Sequence, residues 1–249
     1  MFKFLSKLVG GASNVRRGKT SAIILCAGSS TRFGEGEENK QMAEVNGKAV
    51  AIRTIEAFDT CDLIYEIILV VRKDDVEKYK SLVCENGFSK VSCIVVGGDT
   101  RQSSALRGFK HVSEKAKLVE IHDGARCLVT HEIIEEVIKS ADEHKAATAA
   151  SRVTDTVKLA DKNEFIAKTV DRRDVWNVQT PQVFEKKLYM ACAYYAKENN
   201  IEATDDCMLL ESAGFKVKLV DTGKENIKIT VKDDIKLAEF YLSQREERV

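Results

Sequence analysis

The sequence predicts an α/β fold: a doubly wound, mostly parallel sheet from which a β-hairpin protrudes. Three observations carry this. Apolar runs of strand length alternate with longer helical patterns, as strand–helix crossovers require. Runs such as AIILCA and EIILVV are near-continuously apolar, which suits strands buried on both faces beneath two helical layers. There is no linker rich in Pro, Gly or Ser, no internal repeat and no low-complexity tract, so residues 21–249 read as one domain. A chain of 249 residues with 44% hydrophobic content can bury a core of that size.

Residues 1–20 stand apart. Phe2, Leu5, Leu8 and Val9 fall at helical spacing, but Lys3 and Lys7 interrupt the apolar run a signal peptide needs, and Gly10 and Gly11 end it early. The segment reads as a frayed leader; contact with a membrane surface or a partner chain is the alternative. The first strand follows at 21–27 and breaks into CAGSSTRFG. A helix is expected over 49–58, a strand over 66–72 and a helix over 74–86. The strand 91–96 ends in GGDTRQSS, and a helical pattern runs over 101–112. The strand 117–122 ends in HDGAR, ahead of a helix over 131–144 and a strand over 146–152. From Arg152 to about Arg172 the rhythm changes: TVKL, the polar turn ADKNE and FIAKTV read as a hairpin. A two-stranded hairpin is marginal alone, so this arm should lie against a second copy of the chain or cover an edge of its own sheet. Helices over 185–199, 204–213 and 232–246 complete the order.

Charge excludes one class of partner. Lys+Arg and Asp+Glu are both 39, without the basic excess of a nucleic-acid binder. No apolar run approaches the roughly 20 residues of a membrane span. The 7 cysteines are scattered without a C-x-x-C pair, which argues for reduced, buried thiols in a cytoplasmic protein rather than a disulfide framework or zinc site.

Ligands of a doubly wound sheet bind beyond the carboxyl ends of its strands. CAGSSTRFG is neither the dinucleotide fingerprint G-x-G-x-x-G nor a Walker loop, which weighs against a nicotinamide-dependent dehydrogenase. Gly28, Ser29 and Ser30 allow close approach to phosphates, while Arg32 and Lys40 add a bidentate and a point charge. With Glu35, Glu37 and Glu38 between them, the loop alone could equally be a solvated one. Asp123, beside Gly124 and Ala125, suits Mg²⁺ held by one carboxylate and substrate phosphates; a turn cap is the alternative. His122 alternates with Asp123, so it should face away and pack.

The ordered set AGSSTRF, NKQ, GGDTRQSS, HDGAR, DTVK, TVDR, TPQ, TDD and NIKIT resembles the 2-C-methyl-D-erythritol 4-phosphate cytidylyltransferase family, from about Ser21 to the C-terminal helix. The resemblance implies a Rossmann-like nucleotidyltransferase that joins CTP to a sugar-alcohol phosphate with Mg²⁺. It implies that Arg32 and Lys40 hold the triphosphate and stabilise the transition state. Cys26, Ala27 and Gly28 would touch the nucleotide, Gly98, Asp99 and Ser104 would read cytosine, and Asp123 and Gly124 would meet the ribose, with Asp123 also on the metal. Thr156, Arg172 and Lys228 would surround the acceptor, Lys158 nearby, with Thr180 and Thr204 in the same substrate set. Arg172 and Lys228 would count as catalytic through alignment. The arm would cross to the other subunit of a homodimer, so that Thr156 and Arg172 serve the partner's site. Where the family often has proline, this chain has Asn39 and Cys127, implying looser loops with no functional group lost.

The implied reaction is attack by the acceptor's phosphate oxygen on the α-phosphorus of CTP. A phosphate monoester, with a second pKa near ~6, is already charged at neutral pH, so no base is needed and the 4 histidines need form no site. Fixed positive charge and positioning suffice. Ribitol 5-phosphate as acceptor, and a non-catalytic nucleotide-binding protein, are the remaining alternatives.

Overall fold

The structure, a computed structural model, describes residues 19–28, 33 and 39–247. The expectations for the leader up to residue 18, and for Arg32, lie outside the described residues.

The first strand, β1 (Thr20–Leu25), is wholly buried. After the short β2 (Glu44–Val45) and β3 (Lys48–Ala49) ladder and helix α1 (Val50–Asp59), strand β4 (Ile64–Val71) pairs with β1 in parallel. Helix α2 (Val76–Asn86) leads to β5 (Val91–Val96), parallel to β4, and helix α3 (Arg101–Phe109) to β6 (Leu118–Asp123), parallel to β1 on its other side. Helix α4 (His131–His144) and β7 (Ala146–Arg152) follow, then the hairpin β8 (Lys158–Ala160) and β9 (Ile166–Thr169). Strand β10 (Trp176–Glu185) runs antiparallel to both β6 and β7. Helices α5 (Lys186–Glu198) and α6 (Asp206–Ser212), strand β11 (Lys218–Asp221), parallel to β7, and helix α7 (Asp233–Glu246) end the chain. Among the described residues the main sheet has 7 strands in the order β11-β7-β10-β6-β1-β4-β5.

Successive residues of a strand point to opposite faces, and β1 divides accordingly. Ala22 and Ile24 pack with α1, α2 and α4 on one face; Ile23 and Leu25 pack with α3, α5 and α6 on the other. A third cluster, with Phe33, Val45, Leu128, Ile229 and Ala238, seats α7 beside the β2–β3 ladder. The expected doubly wound order is therefore present; sequence reading did not expect the short β2–β3 ladder or two strands of the main sheet, β10 and β11. β10 escaped because polar residues occupy much of its buried stretch: Gln179, Thr180 and Gln182 are enclosed alongside the apolar Val183 and Phe184. The polar three are tolerated because they are bonded; Gln182 Nε2 donates to Asp205 Oδ2 at 2.9 Å, and its Oε1 accepts from the Asp206 amide at 3.0 Å. β11 escaped because it is short and largely exposed.

The arm forms as expected. Lys158 pairs with Thr169 and Leu159 with Lys168, and Asp161 Oδ1 closes the turn by accepting from the amides of Asn163 and Phe165 at 2.9 and 3.0 Å. It forms its own two-stranded sheet and leaves Phe165 71% and Ile166 67% exposed.

Glu120 lies on β6 with 0% exposure, and neither carboxylate oxygen has a hydrogen-bond partner. Burial pushes its pKa well above the ordinary carboxylate value. The folded chain therefore holds a proton that the unfolded chain releases above about pH 4.5, and each further pH unit costs about 1.4 kcal/mol of stability. Glu120→Met, similar in size and apolar, should raise Tm at pH 7.5, with a gain that shrinks towards pH 4.5. Thermal melts at the two pH values check this; a gain independent of pH would assign the effect to packing.

Candidate active site

The carboxyl ends of β1, β5 and β6 open on one pocket of about 310 Å³. Leu25 stands in register with Asp123, so the loops after β1 and β6 leave the sheet side by side. Of the residues expected from sequence, Ala27, Gly28, Lys40, Gly98, Asp99, Ser104, Asp123 and Lys228 line the pocket. Cys26 and Gly124 do not line it; they are buried and join its walls. The Gly124 amide donates to the Leu25 carbonyl at 2.9 Å, and a Cβ on Gly124 would come within 2.3 Å of Cys26 Sγ. Burial pushes the Cys26 thiol up to about 12, which makes it a packing group and not a thiolate nucleophile. Gly28 differs: a Cβ there would meet no described atom within 4 Å, so the space beside it is open to a ligand.

Helix α3 presents the β5 loop. Thr100 caps it by accepting from the Ser103 amide at 3.0 Å, and Ser103 Oγ accepts from the Thr100 amide at 2.9 Å. Ser104 Oγ accepts from the Gly98 amide at 3.0 Å, fixing the loop against the helix.

Charge concentrates on Asp123. Its Oδ1 accepts from Arg101 Nε at 3.2 Å and its Oδ2 from Lys228 Nζ at 2.8 Å, with Arg126 Nε 3.8 Å from Oδ2. Burial alone would favour the neutral acid, but these cations outweigh it and hold the carboxyl well below the usual range. Arg101 also reaches Asp206: its Nη1 lies 2.5 Å from Oδ2 of that residue, which is 1% exposed and accepts from Tyr189 Oη at 2.8 Å. For Asp206 burial wins over its single cation and its pKa rises. One arginine thus joins two carboxylates that shift in opposite directions, because Asp123 has three cations and Asp206 has one.

His122 packs away from the pocket, against the Phe58 ring, as its alternation with Asp123 predicts. Thr180 Oγ1 accepts the Asp123 backbone N–H at 3.0 Å, which leaves its hydroxyl to donate to His122 Nδ1 at 3.2 Å. His122 Nε2 then donates to the Arg126 carbonyl at 3.2 Å. Burial keeps this imidazole neutral, with a pKa pushed down to about 3. Thr180, expected in the substrate set, is buried behind Asp123 and does not enter the pocket.

The other expected acceptor residues are dispersed. Thr156, Lys158 and Arg172 are exposed on or beside the arm, with Lys158 Nζ donating to Thr169 Oγ1 at 2.7 Å and Arg172 Nη1 to the Thr154 carbonyl at 2.9 Å. Thr204 is exposed before α6. The chain does not bring these into the pocket that holds Lys228. Sequence reading also passed over Leu25, Gln41, Thr100, Arg101 and Ala125, all of which line it. The signal was adjacent, since the last four lie inside NKQ, GGDTRQSS and HDGAR.

Among the described residues no cluster of three or more His, Cys, Asp or Glu could cage a metal. One ionised carboxylate on the wall of a pocket is the donor set for Mg²⁺, which takes most of its ligands from substrate phosphates and water. Asp123 fits that part.

Comparison with known proteins converges on one family. Residues 20–244 match the family model described as 2-C-methyl-D-erythritol 4-phosphate cytidylyltransferase. A protein of that name from Caldanaerobacter subterraneus subsp. tengcongensis is 45% identical over 223 residues, covering 89% of this chain and 98% of its own length. One from Alkaliphilus oremlandii is 42% identical over 230 residues, covering 92% and 97%. Among solved structures, the 4-diphosphocytidyl-2C-methyl-D-erythritol synthase from Anaerococcus prevotii superposes with a TM-score of 0.80 at 34% identity, covering 91% of this chain and 96% of its own. The cytidylyltransferase structure from Thermus thermophilus gives 0.70 at 28% identity, covering 89% and 97%.

Proposed function

We propose, from the premise that the chain belongs to the 2-C-methyl-D-erythritol 4-phosphate cytidylyltransferase family, that it transfers a cytidylyl group from CTP to that sugar-alcohol phosphate. The products are 4-diphosphocytidyl-2-C-methyl-D-erythritol and pyrophosphate. Beyond family, the observation that carries this is one pocket in which open glycine loops meet Lys40, Lys228 and an ionised Asp123. The shared family name favours methylerythritol phosphate over ribitol phosphate as acceptor.

The chemistry needs no proton removal. The acceptor's phosphate oxygen attacks the α-phosphorus, the bond to the bridging oxygen of the β-phosphate breaks, and pyrophosphate leaves with the electron pair. Lys40, with Arg32, holds the triphosphate and offsets the charge that builds there. The loops bearing Cys26, Ala27, Gly28, Gly98, Asp99 and Ser104 seat the nucleotide, and Gly124 sets the approach of β6 to β1. Asp123 would hold Mg²⁺, which when bound supplies positive charge to phosphate oxygens. Thr180 keeps Asp123 in place through its backbone. Lys228 orients the acceptor together with Thr156, Lys158 and Arg172, which reach it from the arm of a second subunit; the exposed Leu159, Phe165 and Ile166 support that homodimer. Thr204 belongs to the same acceptor set. Residues 21–249 act as one catalytic unit with an arm over about 152–172, in a cytoplasmic enzyme.

A coupled assay of pyrophosphate release tests the reading. Release is expected with CTP, Mg²⁺ and 2-C-methyl-D-erythritol 4-phosphate, and its loss with chelator. Faster release with ribitol 5-phosphate would transfer the assignment to that acceptor.

A further inference from the structure

The turn that carries Lys40 separates two cavities. Lys40 and Gln41 line the active-site pocket; Asn39 and Met42 line a second cavity of about 410 Å³ on the other side, together with Arg72, Asp75 and Lys78. The turn is short, closed by the Met42 amide donating to the Asn39 carbonyl at 2.8 Å. Asn39 holds it at both ends of its side chain. Its Oδ1 accepts from the Gln41 amide at 3.1 Å, and its Nδ2 donates to Asp75 Oδ2 at 2.9 Å. Arg72 Nε donates to the same Asp75 oxygen at 2.7 Å.

Asp75 ends the 3-10 turn Lys73–Asp75 that runs into α2, and with φ −95° and ψ −3° its own backbone is helical, so its carboxylate is not placed to bond the first amides of the helix. It makes no such bond. Its side chain instead turns to Arg72 and Asn39, 36 residues away in sequence from the latter.

We infer that the Asn39–Asp75 hydrogen bond is a latch that positions Lys40, which makes Asn39, Asp75 and Arg72 positioning residues of the transfer reaction. The inference rests on reading Lys40 as a triphosphate-binding charge. It corrects the expectation of a looser loop at Asn39: the side chain ties down by hydrogen bonding a turn that a ring at this position would restrain by its φ.

A donor–acceptor swap tests it. Asn39→Asp sets two carboxylates against each other and should lower kcat/KM for CTP by roughly tenfold, the scale of one lost hydrogen bond to a charged group. Adding Asp75→Asn lets the amide nitrogen introduced before α2 donate to the carboxylate introduced in the turn; because Asn39 Nδ2 and Arg72 Nε share one Asp75 oxygen, the bond to Arg72 is given up in the exchange. The double variant should therefore recover part of the loss, above the single variant and below the parent. All assays are run well below each variant's Tm, so that loss of stability alone leaves kcat/KM unmoved. Hydrogen exchange at the amides of residues 41–43 reads the latch without activity and should quicken in Asn39→Asp and slow again in the swap. A single variant with parental kcat/KM, or a swap no better than it, overturns the proposal. Exchange that follows the swap while Lys40→Ala turns over normally overturns the reading of Lys40 instead.

Discussion

Replacing Lys40 with alanine should reduce turnover by about 10²-fold or more while leaving the fold intact, the scale of losing one preorganised charge. The reacting groups explain the size. In the proposed reaction both substrates arrive as anions, the nucleophile is already deprotonated, and no side chain has to move a proton. What the site supplies is countercharge in a pocket where it is poorly screened. Lys40 is 8% exposed and lines that pocket beside Asp123 and Lys228. Its ammonium is thus partly desolvated before substrate arrives, and little reorganisation is left for the reaction to drive. Arg32→Ala should act similarly. Lys40→Arg should retain part of the rate, since the charge survives but is spread over a planar fork. The measurement is kcat at saturating CTP alongside Tm; near-parental kcat in Lys40→Ala would remove Lys40 from the mechanism.

The parts of this site legible in sequence are those announced locally. Asp123 is readable because a carboxylate ends an apolar strand among small residues, and His122 because strand alternation turns it inward. The arm is readable because two β-prone runs flank a polar turn. Arg101 was not, although GGDTRQSS contains it, because its meaning depends on Asp206, 105 residues further on. Nor was β10, whose buried Gln179, Thr180 and Gln182 imitate a loop until their partners on other elements are known. Local patterns report which groups face inward; which polar groups satisfy one another is decided by tertiary pairing. The same limit applies to Asn39, whose restraint comes from the residue that precedes α2.

Arg101→Met should destabilise the fold by about 3–5 kcal/mol, because it removes the one cation that faces buried Asp206 and one of the three that face Asp123. The pH dependence separates this from lost packing. In the parent chain Asp123 titrates below its ordinary value, so its ionised form adds stability that disappears as pH falls. Without Arg101 the pKa of Asp123 moves up, and that of Asp206, already raised by burial, moves further. A carboxyl whose folded pKa is raised loses stability as pH rises above its unfolded value, about 3.9 for aspartate. The deficit should therefore be largest near pH 7.5 and narrow towards pH 4, as read by denaturant unfolding at several pH values. Asp206→Asn added to Arg101→Met should recover part of the loss at pH 7.5, since Tyr189 can still donate to the amide oxygen. Arg101→Lys should recover less, because one ammonium does not reproduce the Nε and Nη1 pair that reaches both acids. A deficit equal at all pH values would mean that Arg101 serves as filler between α3 and α6 and that Asp123 is held by Lys228 and Arg126 alone.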